Sequence, residues 1–329
     1  MSKHAAGIAG IGVFVPEKIL TNADLVKMVD TSDEWIRVRT GIVERRIVEG
    51  DTATSDLAAE AAKNAIKDAG IKAEEIDLIL VATSTPDMIF PSTACLVQSK
   101  LGIDGCAAFD LQAACTGFVY GMTVGAQFIE TGMYETVLLI GADAFTRHIN
   151  WEDRGTCILF GDGAGAVVLK RVETGYGLIG SYLAADGRGA DLLKIPAGGS
   201  ANPGSEETVR DKLHYVQMNG NAVFKFAVRI LHEAAIGALE NAGMLVEEID
   251  YLVPHQANIR IIDAAAARLG IDKKKIIVNL ERYGNTSTAS IPLALNELYL
   301  SGKLKRGNNL MLVGFGAGLT WGANIIKWY

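Results

Sequence analysis

The 329-residue chain is short of cysteine, histidine and proline, with four, five and seven of each. Cys95, Cys106, Cys115 and Cys157 form no CxxC pair and have no histidine at zinc spacing, which argues against a metal site. A disulfide framework is not expected in a chain this long, so the cysteines point to a reducing, cytoplasmic compartment. Positive charge is also scarce. Lys and Arg number 31 against 38 Asp and Glu, a formal net charge of −7, and this argues against nucleic acid as a partner. No apolar run approaches the roughly 20 residues needed to cross a bilayer, so no membrane partner is expected. The apolar stretch "AAGIAGIGVFVP" lacks a small-residue cleavage site and runs into Glu17 and Lys18, so it reads as a first strand and not as a signal peptide.

What the chain does contain is a repeat. "AAKNAIKDAGIKAEEIDLIL" (61–80) and "AAIGALENAGMLVEEIDYLV" (234–253) share Ala-Gly and Glu-Glu-Ile-Asp at an offset of 242 − 69 = 173. The same offset sets "ETVLLIGA" (135–142) on "NNLMLVGF" (308–315), with Gly141 on Gly314. Two distant anchors in one register imply a fused duplication. Further on, "GAGAVVLK" (163–170) matches "TWGANIIK" (320–327) at 327 − 170 = 157. The first half therefore carries about 16 extra residues within roughly 145–162, including "RHINWEDRGT". The expected division is 1–172, with the inserted segment, and 173–329.

Each half reads as α/β. Ala61 to Ala69 is an Ala-rich helix stopped by Gly70, and "EEIDLILVAT" is an acidic turn leading into a buried strand. "TGFVYGMTVGAQFIETG" reads as a helix ended by Gly132, and "ETVLLIGAD" as another buried strand. In the second half the pattern predicts helices over 231–242, 259–269 and about 287–300, and strands over 249–254, 276–280 and 308–314. Continuous apolar strands alternating with helices predict mixed or parallel sheets covered by helices.

Three residues stand out as chemical candidates. Cys115, in "AACTGF", precedes a helix, where unpaired N–H groups and the dipole would lower a thiol pKa. A small buried hydrophobe is the competing reading. His255, in "LVPHQAN", falls at the carboxyl end of a predicted strand, the usual gathering point for ligands in an α/β sheet. A structural imidazole is the alternative there. Asn285, in "RYGNTSTAS", could be a plain turn or cap residue. However, 115 + 173 = 288, so Asn285 lies within one turn of the position mirroring Cys115. If the halves pack about a pseudo-dyad, all three converge on one nucleophile-centred site. "GDGAG" (161–165) and "GFGAG" (314–318) fit neither the dinucleotide nor the P-loop pattern. The first reads as a tight turn, whereas the second could bring N–H groups near Cys115.

Taken together, "TNADLVKMVDTSDEWIRVRTGI", "FPSTACLVQSKLGI", "AACTGF", "DRGTCILFGDGAGAVVL", "VPHQANIRII", "GNTSTASIPLAL" and "GFGAGLTWG" strongly resemble the β-ketoacyl-acyl carrier protein synthase III family over essentially the whole chain. These are the condensing enzymes that initiate type II fatty acid synthesis. The resemblance implies the thiolase fold, with two similar halves in five layers α-β-α-β-α, a homodimer, and no cofactor. It implies acyl-CoA and malonyl-acyl carrier protein as substrates.

Residue by residue, the resemblance makes Cys115 the nucleophile that accepts the acyl group. It makes His255 and Asn285 donors to the malonyl thioester oxygen. Phe315 favours loss of the carboxylate. The N–H groups of Cys115 and Ala317 form an oxyanion hole, with alanine at 317 where some relatives have glycine. Trp35 and Arg154 would sandwich the adenine of CoA, with Thr31 and Arg39 near it and Asn221 and Asn258 along the pantetheine arm. Thr31-x-x-Glu34 also fits a helix capping box, which would make Trp35 a core residue. Phe90 would reach the partner subunit's acyl pocket. Lys225, Arg260 and Arg268 would dock the acidic carrier protein, and Lys273 to Lys275 could do so or simply be a solvated charge run. Two other readings remain, a same-fold acyltransferase or condensing enzyme with an unusual starter, and a non-catalytic partner subunit. An inactive partner would have no need of Cys115, His255 and Asn285.

Overall fold

A computed structural model describes residues 4–329. Its two main sheets are built by β1 (Ala5–Phe14), α1 (Asp33–Thr40), α2 (Thr54–Asp68), β2 (Leu78–Ala82), α3 (Thr93–Leu101), β3 (Ala107–Leu111), α4 (Gly117–Glu130), β4 (Thr136–Asp143) and β5 (Gly163–Val172), followed by β6 (Gly177–Ala185), α5 (Gly220–Ala242), β7 (Tyr251–Pro254), α6 (Ile259–Leu269), α7 (Ser290–Leu300), β8 (Asn309–Gly316) and β9 (Thr320–Lys327). The first sheet has the order β1-β5-β4-β2-β3 and the second β7-β8-β9-β6. In each, a parallel pair joins an antiparallel pair (β2 with β4 and β4 with β5; β7 with β8 and β8 with β9).

The layers follow from the buried strands. Along β2, Leu78 and Leu80 face a central core while Ile79 and Val81 face the outer helix α2. Along β8, Leu310 and Leu312 face the same central core and Met311 and Val313 face α5. The central core is filled by α4 and α7, through Phe118, Met122, Ile291 and Leu295. The result is an outer helix layer, a sheet, the α4/α7 layer, a second sheet and a second outer helix layer. Among the described residues, no helix is long and apolar enough to cross a membrane.

Three sequence expectations are corrected. The predicted strand over 276–280 is only a single bridge between Leu252 and Ile276, so the second sheet lacks a counterpart of β3. The Gln256 side chain takes up the ladder groups, with its Nε2 donating to the Ile277 carbonyl and its Oε1 accepting from Asn279 N–H, and the chain then turns helical at Leu280–Tyr283. "GDGAG" is not a tight turn, because Gly163 to Gly165 belong to β5, and a Cβ at Gly165 would meet Pro292 of α7 at 2.6 Å. Two helices also start earlier than predicted. α2 begins at Thr54, and α5 at Gly220 after an Asn219 cap that accepts from Ala222 N–H.

Candidate active site

Cys115 lies in a 3-10 turn, Ala114–Thr116, that leads directly into α4. The turn forces Ala114 to φ 47°, which costs an L-residue about 1–2 kcal/mol and sets the cysteine at a fixed angle. The equivalent turn 173 residues on, Ser287–Ala289, leads into α7 with Ser287 at φ 50°. The two turns touch, so the expected convergence at the start of both central helices is present. β8 supplies the floor. At its end the bare backbone of Gly316 approaches the turn so closely that a Cβ would lie 2.6 Å from the Cys115 nitrogen. Thr320 ties this corner together, its hydroxyl meeting the carbonyls of Ala113 at 2.9 Å and Ala317 at 3.1 Å.

One short segment, 285–290, reaches all the candidate groups. Asn285 is held by a bridge to Phe160, with its N–H on the Leu159 carbonyl at 2.8 Å and its carbonyl accepting Gly161 N–H at 3.0 Å. Behind that bridge the buried Arg45 donates to the Ile158 carbonyl at 2.7 Å. Burial pulls its guanidinium down to about 10. The Asn285 Oδ1 accepts Ser287 N–H at 2.9 Å, which leaves its Nδ2 as the free donor end. The Ser287 hydroxyl is buried beside the cysteine turn and has no hydrogen-bond partner among the described residues. Ser290 Oγ lies 2.6 Å from Nδ1 of His255, which closes β7 with its N–H on the Val313 carbonyl at 2.8 Å. The Phe315 ring meets the imidazole edge-on, 5.5 Å between centroids at 67°.

Burial dominates the electrostatics. Cys115 is 5 % exposed and His255 3 %. Burial pushes the Cys115 thiol up to about 12, with the Ser287 hydroxyl pulling it back and Asp143 raising it further. The expected lowering by the helix start is thus overturned. A helix terminus is worth about 0.3–1 kcal/mol, under one pKa unit, whereas full desolvation moves a group by up to about 3–5 units. For His255, burial pushes the imidazole down to about 3, so it is neutral at ordinary pH. Beside the cysteine is a cavity of about 390 Å³ lined by Ser84, Phe145, Leu193, Ile195 and Val216.

A second region presents the nucleotide-binding candidates. Arg154 lies over the Trp35 ring at 4.8 Å and Arg39 at 5.7 Å. Trp35 and Asn221 line one groove. The cap of α1 is Ser32, accepting from Trp35 N–H at 3.1 Å, and not Thr31, whose hydroxyl is buried without a partner. Asn258 caps α6 through Arg260 N–H and donates to the Arg39 carbonyl at 3.0 Å. Lys225, Arg260 and Arg268 are exposed on α5 and α6, with Arg260 over the Phe224 ring at 5.3 Å. Of the lysine run, Lys273 pairs with Asp263 and Lys275 donates to the Glu247 and Ile249 carbonyls. Phe90 is 82 % exposed, beside Ile89 at 79 %. Among the described residues, no cluster of three His, Cys, Asp or Glu side chains could hold a metal.

Comparison with known proteins decides the family. Residues 109–187 match the model for 3-oxoacyl-[acyl-carrier-protein] synthase III, and residues 239–328 match the model for its C-terminal part. A β-ketoacyl-[acyl-carrier-protein] synthase III of Caldanaerobacter subterraneus is 58% identical over 99% of this chain and 98% of its own. The chain belongs to the β-ketoacyl-acyl carrier protein synthase III family. A synthase III from Desulfitobacterium hafniense is 57% identical over 98% of both chains. The crystal structure of the Aquifex aeolicus synthase III superposes with a TM-score of 0.91 at 46% identity, covering 98% of this chain and 100% of that one. The five layers are therefore those of the synthase III enzymes, a thiolase-like fold.

Ser287, Ser290 and Asp143 belong to the site but were not singled out from the sequence. For Ser290 a signal existed. The 173-residue offset places it on Gly117, so a small residue in one half faces a hydroxyl in the other.

Proposed function

We propose that this synthase III family member carries out the decarboxylating condensation of an acyl-CoA primer with malonyl-acyl carrier protein, giving a 3-oxoacyl-acyl carrier protein and initiating fatty acid synthesis. The observation that carries the residue assignment is the 285–290 segment, which supplies Asn285, packs its turn against the Cys115 turn and sets Ser290 against Nδ1 of His255. In the first half-reaction the Cys115 sulfur attacks the acyl-CoA carbonyl, the C–S bond to CoA breaks, and the thiol proton leaves with CoA. The N–H groups of Cys115 and Ala317 stabilise the oxyanion. One such donor is worth roughly 3–4 kcal/mol.

In the second half-reaction the malonyl group loses CO₂, and the pair of the breaking C–C bond flows onto the thioester oxygen. His255 and Asn285 donate to that oxygen. Neutral donors aimed at charge that appears only in the transition state accelerate the step without binding the ground state more tightly. The burial that keeps His255 neutral is suited to this task. Phe315 lines the position the departing carboxylate leaves, where an apolar ring favours uncharged CO₂. The enolate carbon then attacks the acyl-cysteine, and the cysteine sulfur departs.

The reading extends to the substrate arms. The Trp35 ring with the Arg154 and Arg39 guanidinium groups beside it suits stacking with a purine, with Thr31, Asn221 and Asn258 along the CoA path. Exposed Lys225, Arg260 and Arg268 suit an acidic carrier. The exposed Met88, Ile89 and Phe90 suit a homodimer contact in which Phe90 enters the partner's acyl pocket. The enzyme is read as cytoplasmic and free of metal and cofactor, with its halves 1–172 and 173–329 supplying the nucleophile and the donors. The test is intact-protein mass after incubation with acyl-CoA. Wild type gains one acyl group and Cys115→Ser gains none; an adduct on the variant refutes the assignment. Competition among acyl-CoA primers then separates an ordinary primer from a specialised one.

A further inference from the structure

His255 has two ring nitrogens and, being neutral, one ring proton. Only the tautomer with that proton on Nε2 can donate to a thioester oxygen there while Nδ1 is occupied, and which nitrogen carries it is set by the hydrogen bond the other makes. The neighbour of Nδ1 is Ser290 Oγ at 2.6 Å, and both residues are buried. A hydroxyl can donate or accept, so the rest of its surroundings decide. The same Oγ faces Gln256 N–H at 3.4 Å, a group that can only donate. Gln256 is itself fixed, its Nε2 on the carbonyls of Pro254 at 2.8 Å and Ile277 at 3.1 Å. The Gln256 N–H fills one lone pair of that oxygen, and among the described residues no carbonyl or carboxylate bonds to the hydroxyl, so Nδ1 is the acceptor for the serine proton. Among the described residues, no group bonds to Nε2.

The internal duplication supplies a second, independent observation. The counterparts of His255 and Ser290 are 255 − 173 = 82 and 290 − 173 = 117, occupied by Ala82 and Gly117. These two are also in contact, since a Cβ at Gly117 would lie 3.1 Å from the Cβ of Ala82. The imidazole and the hydroxyl are thus present together in one half and absent together in the other. A serine kept merely to start α7 would have no reason to follow the histidine, because α4 starts at the same register with glycine.

We propose that Ser290 is a positioning residue that donates its hydroxyl proton to Nδ1 of His255, locking the neutral imidazole in its Nε2–H tautomer. This rests on the reading of His255 as a donor to the malonyl thioester. Removing the hydroxyl frees the ring to take its proton on Nδ1 and turn its lone pair toward the substrate oxygen, which repels the developing charge.

The test has a spectroscopic arm and a kinetic arm. In protein labelled with nitrogen-15 histidine, two-bond proton–nitrogen correlations identify the tautomer of each ring, and His255→Ala assigns the signal among five histidines. The wild-type ring should show a bare Nδ1 and a protonated Nε2; a protonated Nδ1 overturns the proposal, whether or not any Ser290 variant folds. Ser290→Ala should lower malonyl decarboxylation roughly 10- to 100-fold, the range seen when the partner that orients a metal-bound imidazole is lost. Acylation of Cys115 should stay within about twofold, and Ser290→Thr, which keeps the hydroxyl, should recover the decarboxylation rate. Equal loss of both half-reactions, or an unchanged rate, counts against it. If His255→Ala itself decarboxylates normally, the functional reading fails while the tautomer result stands separately.

Discussion

The two halves of the molecule build the same turn and use it in opposite ways. In the second half the turn residue Thr288 donates both its N–H, at 3.1 Å, and its hydroxyl, at 2.7 Å, to the buried Asp143 carboxylate. In the first half the mirrored residue is Cys115, and the mirror of Asp143 (143 + 173 = 316) is Gly316, whose bare backbone packs against the Cys115 nitrogen and brings no carboxylate to it. Asp143 also accepts from Thr83, Ser84 and Thr85, so the closed copy is filled with hydrogen bonds. The second copy is closed by an internal carboxylate, and on the proposed reading the first keeps the same donor for the substrate oxyanion. The difference amounts to a carboxylate in one half and a hydrogen atom in the other.

Copying the closed half onto the open one should have the largest effect. Gly316→Asp places a carboxylate against the Cys115 N–H, and even Gly316→Ala puts a Cβ 2.6 Å from that nitrogen and 3.1 Å from the Ala114 Cβ. Acyl-enzyme formation, followed by mass, should fall at least about 10³-fold for Asp and about 10²-fold for Ala, in line with the worth of an oxyanion donor. A Gly316→Asp variant that acylates normally would break the comparison. Asp143→Asn acts on the closed copy. Turning one acceptor oxygen into a donor leaves at least one buried N–H or hydroxyl unmatched, so unfolding should need about 1–3 kcal/mol less in denaturant titration.

The smallest effects concern pH. Since burial holds His255 near 3 in the fold against an ordinary 6.5, the unfolded chain binds a proton that the folded one refuses. Stability is therefore lost as pH falls below about 6.5 toward 3, and decarboxylation itself should show no histidine titration between pH 6 and 8. Pre-steady-state decarboxylation profiles check the second point, and acid unfolding of wild type against His255→Asn checks the first. Alkylation of Cys115 by iodoacetamide should rise without a plateau up to pH 10, because its thiol is held near 12.

Much of this comparison was legible before any coordinates. The repeat could be read because Gly70 and Gly243 end equivalent helices in the left-handed conformation, and because β4 and β8 are continuous apolar runs spaced by the same 173 residues. Its failures share a cause. The strand expected at 276–280 and the low thiol pKa both followed from local pattern, and both were overridden by groups distant in sequence, the Gln256 side chain in one case and the desolvating second half in the other. Ser287 and Ser290 were hidden in a run of capping-type residues, where composition cannot tell which hydroxyl faces a catalytic group.

The central α4/α7 layer has a consequence for how the chain becomes folded. Phe118 and Met122 from the first half and Ile291 and Leu295 from the second belong to a single apolar cluster that also takes residues from both sheets. A ribosome that has released only residues up to about 172 has made a complete five-stranded sheet whose inner face is covered by α4 alone. The rest of that face is covered only when α7, more than a hundred residues later, has emerged. The nascent first half thus spends much of translation with the exposed apolar surface that chaperones recognise, and the cysteine turn acquires its final shape only after the last strands are in place.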